Sequence, residues 1–96
     1  MSTTTEMPYF ALGRQLITPA AIELLVKHRV DAFNLLRRHA FGDWGVVSDN
    51  DAEANERAIQ RQSGEILSAY LVGGERVLVI TDGDRESTSV LLASDY

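Results

Sequence analysis

The side chains of this chain that can move a proton or hold an anion are few, and they fall at the junctions between its apolar stretches. His39 precedes the loop Gly42-Asp43-Trp44-Gly45. Ser68 and Tyr70 alternate along one apolar run, and Thr81, Asp84, Arg85 and Thr88 follow one another across a polar loop. A spacing of two puts Ser68 and Tyr70 on one face of a strand. A His, an Asp, an Arg and hydroxyls together supply a general acid or base, an orienting group and an anion clamp. The candidate catalytic set is therefore His39, Asp43, Ser68, Tyr70, Asp84, Arg85 and Thr88, with Thr81 and Trp44 beside it. Small metal-independent ribonucleases use such sets. Each member also has a plain structural reading. His39 suits a helix C-terminus through the dipole, Asp43 caps a turn, and Trp44 fills the core. Ser68 and Tyr70 are half-buried strand residues, Asp84-Arg85 is a loop ion pair of little value, and Thr88 favours a strand.

Other chemistries lack their residues. There is no Cys, so disulfides and thiolate zinc sites are excluded. His28 and His39 stand eleven residues apart and form no paired helical ligand set, so no metal is expected. Gly73-Gly74 lacks the following helix of a phosphate-binding loop, and no Gly-x-Ser-x-Gly elbow is present, so no cofactor is expected. With 9 Lys and Arg against 14 Asp and Glu, the net charge of −5 opposes general binding to nucleic-acid phosphates. Lys27, Arg29, Arg37 and Arg38 form a local basic stretch, read most simply as a solvated helix face.

The elements that must position these groups follow from pattern. The 96 residues are 45% hydrophobic and 24% charged, which fits one globular domain. Residues 1–10 are expected to form a flexible tail, with Pro8-Tyr-Phe-Ala-Leu12 able to hook onto the core, and 11–96 a single α+β domain. Thr18-Pro19 starts a helix through Ala21, Ile22, Leu24, Leu25 and Val26. Asp31 caps a second, with Phe33, Leu36 and Ala40 at helical spacing, ended by Gly42. Ser48 or Asp49 opens a third, with a thin apolar face of Ala52, Ala54, Ala58 and Ile59. Beyond Glu65 the period changes. Ile66–Val72 and Arg76–Thr81 form a hairpin over Gly73-Gly74, the second strand being apolar on both faces and therefore central. Ser87–Leu92 completes a three-stranded antiparallel meander carrying two or three N-terminal helices. Such a meander leaves its edges open, so a homodimer through an edge is possible. No apolar run approaches membrane-spanning length and no signal peptide is evident, which points to a cytoplasmic protein.

A wider pattern runs through these residues: Leu12-Gly13-Arg14-Gln15 to Thr18-Pro19-Ala20, Arg38-His39-Ala40-Phe41-Gly42-Asp43-Trp44-Gly45, Asn55-Glu56, Ile66-Leu67-Ser68-Ala69-Tyr70, Ile80 to Thr88, and the closing Asp95-Tyr96. In this ordered combination, over residues 11–96, the chain resembles small proteins borne on proteobacterial plasmids and integrative elements. These are described as plasmid-related proteins, and in some cases as type I restriction subunits. Ala93-Ser94 departs from the pattern, where a Pro is expected before Asp95-Tyr96. The resemblance implies an accessory role for a mobile genetic element in a bacterial cytoplasm, and it brings no established reaction.

Three functions fit. One is a small acidic binding protein that docks on a host protein, for instance in anti-defence against restriction or CRISPR systems. The second is a ribonuclease-like toxin of barnase/RelE-like layout acting on RNA through His39 and Arg85, an analogy at the level of fold. The third is a structural or regulatory subunit whose polar residues satisfy one another.

Overall fold

Thr18 and Pro19 begin the first helix as the sequence requires: the Thr18 hydroxyl accepts from the Ala21 N–H at 3.2 Å, and Pro19 occupies a position needing no donor. A computed structural model of the chain describes residues 7–96, so residues 1–6 of the expected tail lie outside the described residues. Helix α1 spans Pro19–Lys27, α2 Ala32–Ala40 and α3 Asp49–Arg61. The Asp31 carboxylate caps α2 through the Phe33 N–H, and the Ser48 hydroxyl caps α3 through the Asp51 N–H.

Four strands follow the register of one mixed sheet. Strand β1 is Arg14–Ile17, β2 Ile66–Val72, β3 Glu75–Thr81 and β4 Ser87–Leu92, in the order β1-β4-β3-β2. The hairpin β2–β3 and the pair β3–β4 are antiparallel, as the meander predicts. The sheet is not the expected three-stranded antiparallel one. Arg14–Ile17 adds to β4 in parallel, Arg14 beside Ser87 and Ile17 beside Val90. Four largely exposed residues carry too little alternation to announce a strand. Their partner lies at the far end of the chain, so the pairing is a tertiary fact. A short final 3-10 turn spans Ala93–Asp95.

Helices α1 and α2 cover one face of the sheet. Leu24, Leu25, Leu35 and Leu36 pack there on Tyr70, Val72, Val77, Val79 and Val90. Each fully buried Leu or Val contributes roughly 1.5–3 kcal/mol. The opposite face buries Ala69, Leu78 and Ile80 under Val47, Leu67, Leu91 and Ala93, which explains why β3 is apolar on both sides. Phe33, placed in the core by its spacing, is instead 65% exposed; the inward face of α2 is Leu35, Leu36, His39 and Ala40. Helix α3 lies against β2 through Ala58 and Ile59, which pack with Trp44, Ile66 and Phe10.

The expected open edge on the β2 side is closed. The Asn55 amide donates to the Leu67 carbonyl at 2.7 Å and accepts from the Leu67 N–H at 2.9 Å, as a neighbouring strand would. Next to it, the Ala69 N–H donates to the Trp44 carbonyl and the Val46 N–H to the Ala69 carbonyl. Gly45, between them at φ 73°, approaches so closely that a Cβ would fall on the Ala69 carbonyl. Among the described residues no further strand pairs with the outer edge of β1.

Candidate functional site

His39 is turned inward by the last turn of α2 and is wholly buried. Its Nδ1 lies 2.6 Å from the Ser68 hydroxyl and its Nε2 2.9 Å from the Thr81 hydroxyl. Thr81 stands 2.7 Å from Thr88, and Thr88 donates to the Leu12 carbonyl at 2.7 Å. The donor inventory assigns every proton in this chain. A carbonyl only accepts, so the Thr88 hydrogen is committed to Leu12 and Thr88 accepts from Thr81. Thr81 then accepts from an Nε2–H of His39, and the bare Nδ1 accepts from Ser68. The ring is thus a neutral imidazole linking α2, β2, β3, β4 and the segment entering β1.

No carboxylate joins this chain, and burial lowers the His39 pKa from 6.5 to about 4. Phe10 meets the imidazole edge-on at 5.1 Å between ring centres, and Trp44 at 5.9 Å. A proton carrier at neutral pH needs a pKa near 7 and contact with its substrate. In this geometry His39 has neither.

Asp43 and Tyr70 form a second group at the rim. The Tyr70 hydroxyl donates to the Asp43 backbone carbonyl at 2.6 Å, and burial pushes its pKa up to about 12. The Asp43 carboxylate accepts from Arg38 Nε at 2.7 Å and from the Gly45 N–H at 3.2 Å. The Arg38 hydrogen bond holds the Asp43 carboxyl below its usual range, and Asp43 raises Arg38 in return. The Arg38 guanidinium also lies 4.4 Å from the centre of the Tyr70 ring.

Arg85 and Asp84 are engaged elsewhere. Arg85 Nη1 donates to the carbonyls of Gly64, Asp82 and Gly83, and Nη2 donates to that of Ala58. The guanidinium therefore ties the β3–β4 loop to the C-terminal end of α3, where the dipole favours a cation. These bonds commit Nη1 and one hydrogen of Nη2 to backbone carbonyls. The Asp84 carboxylate accepts from the Glu86 N–H and does not pair with Arg85. Phe10 stands between the Arg85 guanidinium, 5.9 Å from its ring, and His39.

The structure thus brings His39, Ser68, Thr81 and Thr88 into one chain, joins Asp43 to Tyr70, and sets Asp84 and Arg85 apart. Asn55, Phe10 and Arg38 are positioning residues outside the candidate set, although Phe10 belongs to the segment expected to hook onto the core and packs there with Trp44 and Ile66. Asn55 carried a signal: it stands at i, i+3 spacing between Ala52 and Ala58 on the inward stripe of α3. Among the described residues no group of three or more His, Cys, Asp or Glu is placed to hold a metal ion, and no helix is long and apolar enough to cross a membrane. No family model, no curated protein and no solved structure matches the chain.

Proposed function

We propose that the chain is a small binding protein, an acidic accessory factor of a bacterial mobile genetic element that docks on a host protein and modulates it. The observation that carries this reading is the closure of the His39 chain. The residues best suited to acid/base work satisfy one another beneath Phe10 and Trp44, and Arg85 is held by carbonyls. The surface supports the choice of partner. From Asp43 to Asp95 the chain carries eleven acids against four cations, and Asp49, Asp51, Glu53 and Glu56 are exposed along α3. Such a surface fits a basic site on a partner, including one that otherwise holds nucleic acid, and makes an anti-restriction or anti-CRISPR role a natural form of the activity.

The test is expression in a bacterial host with growth and total RNA followed together, then transfer of unmodified plasmid DNA into a restriction-proficient host. Unchanged growth, intact RNA and improved transfer are expected, the last lost when Asp51 and Glu53 become Lys. Growth arrest with RNA cleavage that disappears in His39→Ala or Arg85→Ala would overturn the binding reading in favour of a ribonuclease.

A further inference from the structure

The segment from Pro8 to Leu12 crosses over the buried imidazole of His39, and it forms neither helix nor strand. Cavities flank it on both sides. Toward α2 lies one of about 470 Å³, with Pro8 and Leu12 on one wall and Leu36 and Ala40 on the other. Toward α3 lies a second of about 310 Å³, between Tyr9 on one side and Ile59, Gln62 and Arg85 on the other. Phe10 lines both.

Phe10 is a wedge between two polar groups. Its ring meets His39 edge-on at 5.1 Å, stacks on Trp44 at 6.3 Å and has the Arg85 guanidinium 5.9 Å from its centre. Two hydrogen bonds pin the segment: the Tyr9 N–H donates to the Ala40 carbonyl at 2.9 Å, and the Leu12 carbonyl accepts from Thr88 at 2.7 Å. Releasing them leaves the interior bonded. Leu12 is the terminal acceptor of the His39 chain, so its departure turns the Thr88 hydrogen to water and keeps the links among His39, Ser68, Thr81 and Thr88. Beyond Leu12 the attachment changes character. Gly13, at φ 65°, packs so tightly on Glu86 that a Cβ would clash with the backbone there. The Arg14 N–H then bonds to Glu86 and the pairing with β4 begins.

We propose that Pro8–Leu12 is a lid that opens about Gly13 while the sheet and the three helices stay folded, and that Phe10 is the plug by which the closed lid keeps His39 from solvent. Lifting the plug joins the cavity beside α3 to the space Phe10 leaves. His39 and Arg85 then stand on facing walls of one cleft. The lid does not depend on the acidic surface or on what that surface binds.

The test is hydrogen exchange by NMR on the full-length protein. It follows the His39 Nε2–H, the Tyr9 N–H and, as a reference in the central strand, the Val79 N–H, each corrected for its intrinsic rate. His39 and Tyr9 are expected to share one opening equilibrium, open at least about a hundredfold more often than Val79. Sub-denaturing urea should leave their exchange unchanged and speed that of Val79, because lid opening exposes little surface. Phe10→Ala should speed exchange of the His39 proton at least about tenfold more than that of Val79. Should that variant fail to fold, the urea dependence of the wild type decides alone. Exchange of His39 with the protection and urea slope of Val79 would overturn the proposal, since only global unfolding would then uncover the imidazole. So would fast exchange at Tyr9 with His39 still at the global limit, which would make the segment a fraying end and not a lid.

Discussion

Arg38 and His39 are consecutive residues of α2, and each reaches the same strand by a different route. His39 turns inward to Ser68 and joins a chain of uncharged groups with no water-facing member. Arg38 turns outward, pairs with Asp43 and lies over Tyr70 with its side chain 46% exposed. Both connect α2 to β2, and both look functional as residue types. The difference lies in what happens when a partner is removed. Water replaces a lost contact at the rim, whereas nothing replaces one in the interior. Polar residues in the core are therefore fastening points with large individual effects, and those at the rim adjust the surface.

The largest effect is expected at His39. His39→Ala leaves the hydroxyls of Ser68 and Thr81 without their partner and opens a cavity under Phe10 and Trp44. A loss of about 3–4 kcal/mol is expected, read from chemical denaturation. A loss below about 1 kcal/mol would show that the chain contributes little to holding the sheet and α2 together.

Acid should act on the same point. With a native pKa near 4 against 6.5 when unfolded, His39 takes up a proton more readily in the unfolded chain. Its neutral form favours folding fully above pH 6.5, and that contribution fades as the pH falls toward 4. The difference corresponds to about 3 kcal/mol. Wild type should lose this much more stability than His39→Gln between pH 7 and 4, measured as paired denaturation curves. Parallel curves would place the imidazole in contact with water.

Asn55 extends the contrast to the sheet edge. Asn55→Ala removes both backbone bonds to Leu67 and uncovers part of β2. About 2–3 kcal/mol of stability should be lost. Concentration-dependent light scattering should rise as the bared edge pairs between molecules. Arg85 is intermediate, since its carbonyl partners are only partly buried. Arg85→Ala is expected to cost about 1–2 kcal/mol. Arg85→Gly should cost less, because the residue sits at φ 63°, where glycine is unstrained. Equal losses would assign the whole effect to the guanidinium.

Much of this architecture is legible in the sequence because local signals and tertiary packing agree. Thr18-Pro19, Asp31 and Ser48 announce their helices, and Gly73-Gly74 sits between β2 and β3. The alternation of Ser68 and Tyr70 predicts one shared face of β2, and the structure buries both; that this face is the one under α1 and α2 comes from packing. What pattern cannot supply is the partner of a short polar strand, hence the missed pairing of Arg14–Ile17 with β4. Nor can it separate a histidine that moves protons from one that bridges hydroxyls. His39, Ser68 and Thr88 stand in the candidate set, with Thr81 beside it, by residue type and junction position. That these four and not Asp43, Asp84 or Arg85 form one chain is a property of the fold, and Phe10 and Trp44, from other segments, pack on its imidazole. Arg85 misleads for a related reason: its carbonyl partners at Ala58 and Gly64 are backbone atoms, invisible to residue type.

The smallest effect is expected at the rim and sharpens the contrast most directly. In a double-mutant cycle on Arg38→Ala and Asp43→Ala, the coupling should be below about 1 kcal/mol, because both side chains are about half exposed and solvent screens them. Salt should reduce it further, while the His39 loss should not move with ionic strength. Asp43 Oδ1 also accepts from Gly45, so Asp43→Asn is the better single variant for the charge: it removes the ion pair and keeps an acceptor for the turn. If that variant alone destabilised the fold as strongly as His39→Ala, the rim would be part of the interior's fastening, and the division between the two neighbours on α2 would fail.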